Sequence, residues 1–141
     1  MAAMDRLSQS NRFCWKNWSE PEPNLHGRQI FVPSGKVIGG SSSINGMVHV
    51  RGNPAEFDRW SNQGCEGWDY KSVLPYFKRS ETYHGPHNTL RGNDGPLSVF
   101  KTTPVNPLDV AFIESGVQAG FRLSEDFNGV SQEGFRSYDH S

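Results

Sequence analysis

The chain has 141 residues, with 14 Lys and Arg against 15 Asp and Glu for a net charge of -1. That length suits one domain, and charge so evenly spread excludes the clustered basic surface of a nucleic-acid binder. Only 34% of residues are hydrophobic, while 15 Gly and 9 Pro predict short elements between frequent turns.

The aromatic complement, 9 Phe, 4 Tyr and 4 Trp, is too rich for a solvated tail. No apolar run approaches the roughly 20 residues of a membrane helix, and the opening MAAMDRLSQSNRF lacks the apolar stretch of a signal peptide. Cys14 and Cys65 form no CxxC pair or even-numbered framework. These features predict a soluble protein of a reducing compartment, the cytoplasm.

In chain order, Phe13, Trp15 and Trp18 bunch before a Pro-rich stretch ending at Pro23. Gln29–Val32 is a strand candidate stopped by Pro33, and Gly35–Ile38 a second extended piece leading into Gly39-Gly40-Ser41-Ser42-Ser43. Asn53-Pro54-Ala55-Glu56 places an N-cap, a proline at the first helical position and a glutamate three residues after the cap. Phe57 and Trp60 share a face of that helix, and Gly64 ends it.

Asp69 caps a second helix running to about Arg79, with Pro75 predicting a kink or break. A polar connection, His84–Asp94, leads to a short strand, Pro96–Phe100. Asn106 and Pro107 then repeat the grammar of the first helix. Leu108, Ala111, Phe112, Ser115 and Ala119 share a face, and Gly120 stops it. Beyond Gly120 the chain passes through Asp126-Phe127-Asn128-Gly129 to Ser141 without a further element. A self-contained sheet of several strands cannot be assembled from these pieces, so the chain reads as the middle of a larger protein.

The segment richest in chemistry is Gly35–Met47, GKVIGGSSSINGM. Adjacent glycines let backbone approach a ligand closely and adopt positive φ. The serines offer hydroxyl and amide donors, and a helical turn starting there favours an anion. On these grounds it is a phosphate or cofactor cradle, set against the plainer alternative of a flexible Gly/Ser loop. It is neither a P-loop, lacking the Lys-Ser/Thr pair, nor a GxGxxG fingerprint.

With its flanks included, GKVIGGSSSINGMVHVRGNPAEFDRW resembles the first signature of the glucose-methanol-choline (GMC) family of FAD-dependent oxidoreductases. The match falls on Gly35, Lys36, Ile38, Gly39, Gly40, Ser41, Ser42, Ile44, Asn45, Gly52 and Asp58. WSEPEPNLHGRQIFVPSGK upstream, and EGWDYKSVLPYFKRSE, GNDGPLSV, NPL and DFNGVSQEGF downstream, are similar to family segments of the choline and alcohol dehydrogenase branch. Two departures stand out. His49 replaces the family's usual aromatic residue or Ala, and Ser34 replaces a common Arg.

The resemblance implies an α/β fold, here an α+β fragment of the GMC FAD-binding fold. It would lack the N-terminal dinucleotide-binding strand-loop-helix and the C-terminal catalytic segment. Residues 1–68 would belong to the FAD-binding domain, and 69–141 would lead into the substrate domain. Gly39, Gly40, Ser41 and Ser42 would line the ribityl and diphosphate path of FAD. Asn45, Gly46 and Met47 would lie against the isoalloxazine edge, with Lys36 and Val37 nearby. Some relatives bond flavin covalently through a histidine at the position of Ile44; an alkyl group cannot, so FAD would be held non-covalently.

The implied reaction is oxidation of a small-molecule alcohol to a carbonyl, with no catalytic base in this segment and no activity in the isolated fragment. A non-redox remnant and a GMC-type lyase with a structural flavin are the alternatives, and the oligomeric state is open. Other candidates carry less. His84 and His87 are three apart, but Gly85-Pro86 predicts a turn and no third ligand completes a metal shell. His26, His49 and His140 read as ordinary polar or surface residues, Trp60 and Trp68 as helix-packing core. Glu20 and Glu22 flank Pro21 in extended chain, unsuited to a carboxylate pair.

Overall fold

The computed structural model describes residues 9–141. The opening segment, where no signal peptide is expected, lies, through residue 8, outside the described residues. The chain divides into two compact units, one running through Met47 and the other Val48–Ser141.

In the first unit, β1 (Cys14–Trp18) pairs antiparallel with β2 (Phe31–Gly35), Cys14 opposite Gly35 and Trp18 opposite Phe31. The aromatic bunch is thus a strand, which the sequence reading left unassigned. A 3-10 turn, Pro23–Leu25, shapes the connection; the Glu22 carboxylate accepts from the Asn24 amide, and His26 and Gly27 turn the chain at positive φ.

The expected stop at Pro33 does not occur, because β2 runs through it. The amides of Ser19 and Lys36 donate to Ile30 and Phe13, which puts the hydrogen-bonded pairs at odd-numbered positions of β1. Pro33, opposite Lys16, therefore occupies a slot whose N–H would face away from the partner strand. The extended piece expected at Gly35–Ile38 is instead a turn beyond Gly35, closed by the Gly40 amide on the Val37 carbonyl at 2.8 Å.

The second unit begins with α1 (Pro54–Asn62). Asn53 caps it as expected, its side chain accepting from the Ala55 amide at 2.9 Å. In α2 (Tyr70–Ser80) Asp69 caps the Ser72 amide, and the Asp58 carboxylate accepts from the Tyr70 amide. Pro75 does not break this helix. It leaves the Lys71 carbonyl without its helical donor, and both residues lie on an exposed face where water can serve.

Phe57 is buried between the helices, its ring 5.6 Å from Phe77 and 5.2 Å from Trp60. Trp60 and Trp68 are corrected from core to rim. They pack edge-on against each other at 6.0 Å but remain 40% and 52% exposed.

Straight after α2 comes β3 (Glu81–His84), parallel to β4 (Leu97–Phe100) with Glu81 opposite Leu97. β4 matches the expected strand; β3 falls between the helix expected to end near Arg79 and the polar connection expected from His84, where no element is expected. Gly92 is required between them, since a Cβ there would lie 1.9 Å from the Lys78 carbonyl oxygen. α3 (Pro107–Gln118) has its Asn106 cap and its glycine stop, Gly120 at φ 91°. Its expected apolar face is not the buried one. Leu108 and Phe112 are 76% and 66% exposed, while Gly116 is buried against the Phe135 ring.

The tail has no helix or strand, yet it is not loose. Isolated bridges join Leu123 to Phe135 and His140 to both Val48 and Phe100. The described residues thus form two separate two-stranded sheets plus helices, in keeping with the expected mixed class and the absence of a larger sheet. Phe57 and Val99 are the buried large apolar side chains of the second unit, whereas Arg51, Glu81, Arg91, Asp126, Asn128 and Asp139 are buried too. Its centre is polar.

Candidate cofactor loop and buried ion cluster

The candidate loop starts where β2 ends. Because Gly35 occupies an outward-facing slot of the ladder, its amide is available, and the Ser41 hydroxyl accepts it at 3.1 Å. The chain folds back so closely that a Cβ on Gly35 would stand 2.2 Å from the Gly40 carbonyl oxygen. Gly39 at φ 88° and Gly40 at φ 59° lead into a 3-10 turn, Gly40–Ser43. Ser42 donates to the Gly39 carbonyl at 2.7 Å, and Ser43 to the Ile38 carbonyl at 2.8 Å.

All three hydroxyls therefore hold the loop to itself. The surface left for a ligand is backbone, above all over Gly40, where a Cβ would meet nothing within 4 Å. The Lys36 ammonium lies over the Trp15 ring at 4.4 Å, and Val37 is half-buried. Beyond the turn, the Asn45 side chain accepts from the Met47 amide at 2.8 Å. Met47 itself sits at φ 54°. A non-glycine residue in that region is an uncommon, costly conformation of the kind that clusters at ligand-binding segments.

The structure thus brings Lys36, Val37, Gly39, Gly40, Ser41, Ser42, Asn45, Gly46 and Met47 into one continuous loop at the end of β2. An open backbone face over Gly40 and positive φ at two successive glycines fit the close approach of a cofactor's diphosphate and ribityl chain. Ile44 supplies no nucleophile there.

The other centre went unnoticed in the sequence. Glu81, at 0% exposure, is its hub. Its carboxylate accepts from Arg51 at 2.6 Å, Arg91 at 2.9 Å, the Gly92 amide at 2.9 Å and His49 Nε2 at 2.9 Å. Arg91 reaches on to Asp126 at 2.8 Å and Asp139 at 2.9 Å, and Arg136 closes the ring on Asp139 at 2.6 Å. Burial pushes the Glu81 carboxyl up, but the bonds from His49, Gly92 and Arg91 and the Arg51 charge outweigh it and hold the group down at about 2. Burial likewise opposes the charge on Arg91, and the Glu81 and Asp139 bonds overcome it to raise that group.

Asn128 ties the cluster to the chain that follows the candidate loop. It accepts from the Arg51 amide at 2.7 Å and donates to the His49 carbonyl at 3.1 Å. The only early hint was His49, noted as a departure from the family pattern. His84, by contrast, stacks on Phe100 at 4.5 Å, and no group of three His, Cys, Asp or Glu among the described residues could hold a metal. No helix among them is long and apolar enough to cross a membrane.

The glycine-rich turn and the mixed helix-strand frame have counterparts among known proteins. The family model "GMC oxidoreductase" matches residues 9–141, and the chain belongs to that family. Over 134 residues it is 59% identical to the oxygen-dependent choline dehydrogenase of Sinorhizobium medicae, covering 95% of this chain and 24% of that protein. Among solved structures, pyridoxine 4-oxidase from Mesorbium loti superposes with a TM-score of 0.83 at 29% identity, over 99% of this chain and 28% of that one. An FAD-dependent oxidoreductase from Chaetomium thermophilum gives 0.64 at 30% identity, over 77% and 21%. The chain spans about a quarter of the length of the relatives it matches.

Proposed function

We propose that Gly35–Met47 is the flavin-side loop of an FAD-dependent alcohol oxidoreductase of the choline dehydrogenase kind. The observation that carries this reading is the pair Gly39-Gly40 at positive φ with open space over Gly40. Backbone of Gly39, Gly40, Ser41 and Ser42 lines the diphosphate and ribityl path. Lys36 and Val37 support the loop from its β2 side, and Asn45, Gly46 and Met47 face the ring edge, where amide groups tune the ring's electronics. FAD, when bound, supplies a two-electron acceptor for an alcohol carbon becoming a carbonyl. With Ile44 at the tethering position, it is held by hydrogen bonds and packing alone.

In an enzyme of the relatives' length, residues 1–68 belong to the FAD-binding domain and 69–141 lead into the substrate domain. The 141 residues alone do not turn over alcohol, because one loop provides little of the surface a dinucleotide needs. The cytoplasm fits a chain in which Cys65 is exposed and the described residues contain no disulfide.

The test is to place this segment in the Sinorhizobium medicae relative and add choline or a short alcohol anaerobically. Bleaching of the flavin is expected, and acid precipitation should leave the yellow colour in the supernatant. A colourless chimaera that is otherwise folded overturns the cofactor assignment. Flavin that is bound but never bleached overturns the redox one.

A further inference from the structure

His49 begins two residues beyond the cofactor loop, and its whole backbone is held. Its amide donates to the Asp139 carbonyl at 2.9 Å, its carbonyl accepts from Asn128, and its neighbour Val48 bridges His140. Its imidazole Nε2 lies 2.9 Å from Glu81 Oε2, and the side chain is only 19% exposed.

Glu81 stands between the guanidinium groups of Arg51 and Arg91, which help to hold it ionised. An ionised carboxylate can only accept, so the bond requires a proton on Nε2.

We infer that His49 is a positioning residue whose imidazole, by donating from Nε2 to Glu81, fixes the segment Val48–Arg51 leading out of the flavin loop. Its consequence for flavin rests on the function proposed above. A phenylalanine at this position would fill the space but give Glu81 no donor. Glu81 keeps Arg51, Arg91 and the Gly92 amide without it, so loss of the imidazole leaves the cluster formed.

Two measurements on the 141-residue chain test the anchor. Long-range nitrogen–proton spectra of the imidazoles should show a proton on His49 Nε2; a ring protonated at Nδ1 alone overturns the assignment. Amide exchange of Val48–Arg51 should quicken at least tenfold in His49→Phe and be largely restored in His49→Gln, whose amide can donate. Unchanged exchange in His49→Phe overturns the anchoring role. In the chimaeric holoenzyme, His49→Phe should weaken FAD retention about tenfold, with His49→Gln between the two. Faster exchange with unaltered FAD retention overturns the link to the cofactor. A chimaera that binds no FAD even with His49 present refutes the proposed function instead, and the spectra and exchange rates still decide the anchor.

Discussion

The Gly35–Met47 loop and the Glu81 cluster are both polar constructions, but they are held in opposite ways. The loop is stapled over short range, by Ser41 to Gly35, Ser42 to Gly39, Ser43 to Ile38 and Asn45 to Met47, and most of its residues stay exposed. The cluster joins residues as distant as Arg51, Arg91 and Asp139, and almost everything in it is buried. Local hydroxyl-to-backbone bonds can pose a backbone surface for a ligand while adding little global stability. Long-range buried charge does the reverse, making tail, strand and connecting loop cooperate or fail together.

The sharpest way to break this contrast is Glu81→Ala. Arg51 and Arg91 would then be buried without their carboxylate, at a cost of about 3 to 5 kcal/mol, seen as a large drop in the denaturant midpoint. A variant as stable as the parent chain would mean that the cluster is solvated in solution.

Acid probes the same hub without mutation. The Glu81 carboxyl lies at about 2 in the fold against 4.5 when free. Its folded value is the lower, so the stabilisation is present above pH 4.5 and is lost as pH falls toward about 2. The expected loss is on the order of 3 kcal/mol, to be followed by urea melts across that window. A flat stability profile there would contradict the hub.

The loop should respond differently. Gly40→Val places a β-branched residue at φ 59°, straining the turn by about 1 to 2 kcal/mol and filling the open face. In the chimaera, flavin retention should be lost while the urea midpoint falls less than in Glu81→Ala; Ser131→Ala should change neither. Retention equal to the parent's would move the cradle elsewhere.

The smallest effect is expected from Asn45→Ala, which removes the hydrogen bond to the Met47 amide. Global stability should fall by about 1 kcal/mol or less, with faster exchange confined to the Met47 amide. A cooperative loss of the whole chain would show that the loop is more central than its local bonding indicates.

The same contrast explains what was legible in the sequence. The tight turn after β2 was legible because its residues are consecutive and Gly35, Gly39 and Gly40 each have a local reason to be there. α1 and α3 were legible because Asn-Pro writes both cap and first turn into two adjacent letters. β1 was hidden because Cys14 is its one buried residue while Trp15 and Trp18 stay exposed, leaving no clean alternation. β3 is four residues long with Glu81 as its buried member, the opposite of an apolar strand pattern. The cluster left no local trace, since its members lie on segments that only the fold brings together. Pro75 misled because a missing donor matters less where the stranded carbonyl meets water.

Pro33 bears on how this chain meets other chains. Every second amide of β2 points away from β1, at Phe31, Pro33 and Gly35. The proline has no proton to offer, and the glycine's is already taken by Ser41. A neighbouring polypeptide that tried to extend the two-stranded sheet along this edge would find its hydrogen-bond ladder interrupted at two rungs out of three. A short exposed ribbon bearing Trp15, Trp18 and Val32 is otherwise a ready template for intermolecular strand addition. The residue that seemed to terminate the strand thus protects its open side from aggregation.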